Sequence, residues 1–158
     1  MTSPALQEWP PGDGKYRRSE VSAVLGNGDA VWANAARDVL RWKVKTASGF
    51  SVDSDSAVIS GQRVIVTAKL FGVSVIEPVE VLDVVEEVNR VGFAYRTLEG
   101  HPVSGEEAFV VHRDGEQVTL TIRSLTRAAP QQPWRTLFPL LLIAQKVVRR
   151  RYLRALRA

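Results

Sequence analysis

Among the side chains able to do chemistry in this sequence of 158 residues, cysteine is missing and histidine occurs twice, at His101 and His112. Without cysteine there is no disulfide partner, no thiolate nucleophile and no cysteine-held zinc or iron–sulfur site. Two histidines are too few for a multi-histidine metal site, so no metal or other cofactor is expected. His101 sits in a Gly100-His101-Pro102 turn with Glu106 and Glu107 a few residues on, the one place where acid–base work can be set up. The plainer reading of His101 is a structural or solvated turn histidine, and of His112 a solvated strand histidine. The carboxylate pairs Glu86-Glu87 and Glu106-Glu107 are sequence neighbours. Strand side chains alternate between faces, so neither pair makes a close dyad by itself. Gly26-Asn27-Gly28 before a helix invites a phosphate-loop reading. It lacks the dinucleotide fingerprint and the Walker lysine, and Asp29 would repel phosphate. No catalytic residue emerges, and the balance leans away from an enzyme.

The strongest local pattern is Arg113-Asp114-Gly115-Glu116, where Asp-Gly is expected at the centre of a two-residue type I′ turn. That register sets Val111 opposite Val118, Phe109 opposite Leu120, Glu107 opposite Ile122 and Glu106 opposite Arg123. Alternation then gives one apolar face with Val111, Val118, Phe109 and Leu120. Glu107 falls on that face. A carboxylate there costs several kcal/mol unless it is paired, protonated or open to a watered cavity. It either reaches solvent at the strand end or serves as a polar anchor inside a ligand cavity, partnered by Tyr95 or Arg96. Tyr95 shares the face of Val91 and Phe93, and is otherwise a core tyrosine with a satisfied hydroxyl.

Around these residues the chain is expected to form one domain over residues 15–158, preceded by a flexible arm over 1–14 rich in proline and glycine. A first strand is read over 15–25. A helix follows from an Asp29 N-cap to about Thr46–Gly49, carrying Trp32, Ala35, Ala36, Val39 and Leu40 at helical spacing. Valine- and aromatic-rich strands are then read near 51–58, 63–70, 73–87 (broken at Pro78), 90–98, 105–113 and 116–126. Turns at Ser60-Gly61, Phe71-Gly72, Gly100-His101-Pro102 and Asp114-Gly115 separate them. Leu137, Leu141, Ala144, Val148, Tyr152 and Leu156 lie on one face of a C-terminal helix that Pro139 starts or kinks. A curved antiparallel sheet gripping this helix satisfies the order. It is the α+β helix-grip arrangement of Bet v 1-like and lipid-transfer (START-like) domains, an analogy of fold alone.

The net charge of +4 is uneven: residues 131–158 hold seven Lys and Arg and no acid. Such asymmetry points to an anionic surface, with Arg149, Arg150, Arg151 and Arg154 as the contact. A basic stripe on the back of a packed helix is otherwise just its solvated face. Nucleic acid is not the expected partner, because the sheet needs the helix's apolar face. The N-terminus shows no secretory pattern. The longest apolar run, Leu137 to Ala144 with Pro139 inside it, is far short of the roughly 20 residues that span a bilayer. A cytoplasmic protein is expected, with peripheral membrane contact as an option.

The run Gly92-Phe93-Ala94-Tyr95-Arg96-Thr97-Leu98-Glu99-Gly100-His101-Pro102, with Gly105-Glu106-Glu107-Ala108-Phe109 after it, resembles the central signature of a bacterial and plant family. That family is known only as a domain of unknown function, number nineteen-ninety of its series. Gly26-Asn27-Gly28 with Trp32, Ala36, Leu40 and Trp42, the segment Leu120-Thr121-Ile122-Arg123-Ser124 and the terminal Arg-Tyr-Leu run fit the same pattern. Arg96 stands where glycine is usual, and Arg127-Ala128-Ala129 where Arg-Pro is usual. The resemblance spans residues 15–157 and implies a shared fold without an activity. It directs attention to the stretch from Leu98 to Glu107.

These readings converge on a domain that binds an apolar or amphipathic small molecule between sheet and C-terminal helix. The expected lining is Trp32, Phe93, Tyr95, Phe109, Leu120 and Leu141, with Glu107 as polar anchor and Arg96 and His101 at the edge. The alternatives are an interaction module using the basic helix on anionic membrane or nucleic acid, and an enzyme with His101/Glu107 acid–base chemistry.

Overall fold

Valine-rich alternation and helical periodicity are realised in a computed structural model that describes residues 1–70 and 72–157. The elements are β1 (Arg17–Asn27), α1 (Asp29–Val39), α2 (Lys43–Thr46), β2 (Ser51–Val52), β3 (Arg63–Leu70), β4 (Val73–Glu87), β5 (Arg90–Thr97), β6 (Val103–Asp114), β7 (Gln117–Ala128) and α3 (Trp134–Ala155). Among the described residues the strands form one antiparallel sheet in the order β1-β7-β6-β5-β4-β3-β2. Register shifts at Val81/Val84 in β4 and Val24/Gly26 in β1 bend it. On its inner face lie α1, α2 and α3, over a core that includes Val66, Val79, Val81, Phe93, Phe109, Val111, Leu120 and Ile122. Of the expected turn Phe71-Gly72, Phe71 lies outside the described residues.

Four local expectations change. The β6–β7 register is displaced by two: Asp114 pairs with Gln117, Phe109 with Ile122, and Glu107 with Ser124 instead of Ile122. The turn therefore centres on Gly115 and Glu116, with Gly115 at a positive φ of 60° that glycine adopts freely. A shift of two keeps every side chain on its face, so the apolar set survives. Second, Pro78 does not break β4. Its carbonyl accepts the Leu98 N–H just past the end of β5, so the N–H that proline lacks would face beyond the paired strand. Third, the strand read over 51–58 shrinks to Ser51–Val52. Fourth, the single long helix is two. Trp42 takes the left-handed conformation (φ 63°) and turns the chain between α1 and α2, while the N-cap of α1 is Gly28 and Asp29 is its first residue.

The segment read as a loose arm lies along the outer face of the sheet. Arg123, 1% exposed, donates to the carbonyls of Thr2, Ser3 and Gln7 and to Glu20. Arg90 donates to the carbonyls of Pro4 and Leu6, and Glu106 accepts from the backbone N–H and hydroxyl of Thr2. His112 also faces this side, half-buried, with Nε2 3.0 Å from Thr121 Oγ1; burial and then Arg90 and Arg123 lower its pKa.

Candidate functional site

Two buried arginines close the outer face; the inner face is only partly filled. Trp42, fully buried, meets Phe93 edge-on and Tyr95 at a tilt, at ring separations of 4.8 and 5.5 Å, and Phe109 meets Tyr152 at 5.3 Å. With Val39, Leu40 and Val44 these rings fill the half of the groove under α1 and α2. At the other end, around Thr97 of β5, Val103 of β6 and Ser124 of β7, a cavity of about 430 Å³ stays open between sheet and α3. Its walls include Phe50, Ala68, Leu141, Ala144 and Val148. Gly105, also on the wall, must be glycine: a Cβ there would lie 1.7 Å from the Leu125 carbonyl oxygen.

Glu107 organises the polar end of this cavity. It accepts from the Tyr95 hydroxyl and, at 3.0 Å, from Ser124 Oγ, and Lys45 Nζ stands 3.7 Å from its Oε1. Lys45 comes from α2, is almost fully buried, and donates to the Tyr152 hydroxyl at 2.6 Å. Burial and then the charge of Glu107 push both phenols well above their ordinary pKa, so both stay protonated. Beyond Lys45 lies Glu77 of β4, whose pKa is raised by burial against the lowering charge of Lys45. His101 Nε2 is 3.5 Å from Glu77 Oε1, while its Nδ1 accepts the Val103 N–H at 3.1 Å. An accepting Nδ1 places the imidazole proton on Nε2, toward Glu77. Burial, then the charge of Lys45, hold this histidine down to about 3.

The sequence-selected residues divide. Tyr95, Glu107, Leu141 and His101 line the cavity, as do Arg149 and Arg151 of the basic helix. Phe93, Phe109 and Leu120 do not: fully buried, they are packed beneath Trp42 and α1 as core. Trp32 packs on that core at the far end, where Arg113 pairs with Asp29 near the β6–β7 turn. Arg96 is on the opposite face from Tyr95, as alternation requires, and pairs with Glu80 at 2.6 Å. Arg150 and Arg154 are exposed on the outer side of α3. Glu77, Lys45 and Tyr152 complete the cluster, and none of them is among the site residues expected from the sequence. The helical spacing puts Tyr152 on the packed face of the helix. Glu77 shares the parity of the buried Val75 and Val79, a signal legible in the sequence.

A family model described as "Domain of unknown function (DUF1990)" matches residues 2–155. The chain belongs to this family. A stretch of 50 residues, 31% of the chain, is 48% identical to a UPF0548 protein of Deinococcus radiodurans and spans a quarter of that protein's length. Among solved structures, a hypothetical protein from Helicobacter pylori is similar over 99% of this chain and 96% of its own, with TM-score 0.61 and 17% identity. The ZhuI aromatase/cyclase from Streptomyces sp. R1128 is similar over 89% and 90%, with TM-score 0.51 and 18% identity. This DUF1990 chain has the helix-grip, Bet v 1-like fold: a seven-stranded antiparallel sheet with a long C-terminal helix. Among the described residues no helix is long and apolar enough to cross a membrane.

Proposed function

We propose that this domain binds an apolar or amphipathic small molecule in the cavity between the sheet and α3, with the cluster around Glu107 anchoring its polar end. One observation carries the reading: an apolar-walled space of about 430 Å³ ends on buried, mutually bonded ionisable groups. Volume and composition are those of small-molecule pockets, which run to roughly 300–1,000 Å³ with few, convergent polar groups. The ZhuI aromatase/cyclase, which shares this fold, lends support to the reading. Acid–base turnover by His101 and Glu107 is less well supported. A histidine held near 3 lies far from the working range of a general acid or base at neutral pH, and it faces Glu77 instead of Glu107.

Fluorescence of an apolar dye such as 1-aminoanthracene tests the reading. Dye should bind at one site per chain. Glu107→Gln, which removes the charge facing Lys45, should weaken binding about tenfold. Dye that binds the two proteins equally, or does not bind the wild type, contradicts the reading.

A second reading is favoured by α3 itself, where Leu140, Ile143 and Val147 are exposed beside Arg149, Arg150 and Arg151. It is peripheral contact with an anionic membrane, each Lys or Arg near such a surface being worth about 1 kcal/mol. Sedimentation with vesicles containing phosphatidylglycerol should be abolished by Arg149→Glu, Arg150→Glu and Arg154→Glu together and by salt. Sedimentation indifferent to both contradicts it.

A further inference from the structure

Hydrogen bonds at the polar end of the cavity are unevenly used up. Glu107 accepts a hydrogen bond at each oxygen, from Tyr95 at Oε1 and Ser124 at Oε2, and forms an ion pair with Lys45, 3.7 Å from Oε1. The hydroxyl of Ser48, also on the wall, is turned to the Val44 carbonyl at 2.6 Å. Tyr152 differs. Its oxygen accepts from Lys45, so its own proton points elsewhere and meets no acceptor among the described residues. Beside it, Glu77 faces the Nε2 proton of His101, and burial favours its neutral, donating form. Gln145 Oε1, a buried acceptor also on the wall, meets no donor among the described residues, but it belongs to a residue two turns before Tyr152 on α3. The side chains thus leave donor capacity unspent where a ligand's polar end would lie.

Charge narrows the choice of acceptor. Lys45 and Glu107 already offset one another, and Glu77 is a second carboxyl within reach of both. A ligand carboxylate would add a buried anion to a neutral or negative cluster, at a cost of several kcal/mol without a further cation. The remaining cations on the wall are Lys69 and Arg151, which are exposed, and Arg149, which is partly exposed and whose charge reaches Tyr152; all three touch solvent, which screens them.

From this geometry we infer that the site takes an apolar molecule whose inner end is a neutral carbonyl oxygen (ketone, quinone or ester), received by the Tyr152 hydroxyl beside Lys45. The inference rests on the small-molecule reading above and names its ligand class. Glu107 holds Tyr95 and Lys45 in place and does not itself receive the ligand.

Three probes of one shape separate the two levels: 2-acetylnaphthalene, 2-ethylnaphthalene and 2-naphthoate, titrated by calorimetry into the full chain. The ketone is expected to bind about tenfold more tightly than the ethyl analogue, one or two net hydrogen bonds, and more tightly than the carboxylate. Its carbonyl infrared stretch should shift to lower frequency on binding. Tyr152→Phe should reduce the ketone's advantage to less than threefold, reverse the shift, and leave the ethyl analogue's affinity unchanged. Equal binding of ketone and ethyl analogue overturns the carbonyl inference while leaving the small-molecule reading intact. Tightest binding by 2-naphthoate overturns it in favour of the arginine rim. Binding by none of the three overturns both. If Tyr152→Phe fails to fold, the ranking and the infrared shift in the wild type decide alone.

Discussion

His101 is buried, accepts a backbone N–H on one nitrogen and faces Glu77 with the other, so protonating it inside the fold is costly. Its pKa in the folded chain is about 3, below the 6.5 of an unfolded histidine. The stability it contributes is therefore present above pH 6.5 and lost as pH falls toward 3, about 2 kcal/mol of it by pH 5. Glu77, raised by burial, works in the opposite sense and costs stability as pH rises through its folded pKa. Urea denaturation at pH 7.5 and 5.0 should show His101→Gln lacking about 2 kcal/mol of the wild-type difference. Equal pH slopes would contradict this placement. Residues of this kind were unevenly legible. Glu107 announced itself as a carboxylate on an apolar face. Its partner Ser124 could not be named, because the Asp-Gly turn forms one step later than its sequence preference suggests. Lys45 carried no sequence signal, since in an unbroken helix nothing singles it out.

Elements explain that blindness. The left-handed Trp42 ends α1 and redirects α2, which brings Lys45 inward and sends the Trp42 ring onto Phe93 and Tyr95. No glycine marks the break, so helical periodicity reads straight through it. With Val39, Leu40 and Val44 the same ring helps fill half the groove, and Phe93, Phe109 and Leu120 belong to that packed core instead of the cavity wall where alternation alone places them. Trp42→Ala should cost about 3–5 kcal/mol in a urea titration, as large aromatic truncations do; a loss under about 1 kcal/mol would contradict the plug. On β6 the constraint is steric. Gly105→Ala presses a methyl into the Leu125 carbonyl and should destabilise by about 3 kcal/mol or more. An unchanged denaturation midpoint would show that the two strands are not so close. Strand faces, by contrast, were legible throughout, because a period of two tolerates a register error of two.

The whole molecule has two unlike sheet faces. The outer one is closed by its own N-terminal segment, whose carbonyls surround Arg90 and Arg123; proline and glycine content concealed that role. Removing residues 1–9 strips those acceptors and should cost about 2 kcal/mol, read as a fall in Tm of about 4–8 °C; an unchanged Tm would contradict the latch. The inner face is where sheet and helix separate, and the central claim is that a small molecule occupies that space. Native mass spectrometry of the purified chain after incubation with 2-acetylnaphthalene, beside Ala144→Phe to fill the cavity, tests it most directly. The expected result is a one-to-one adduct on the wild type, absent from Ala144→Phe. No adduct on the wild type, or an adduct that survives the filling substitution, would contradict the claim.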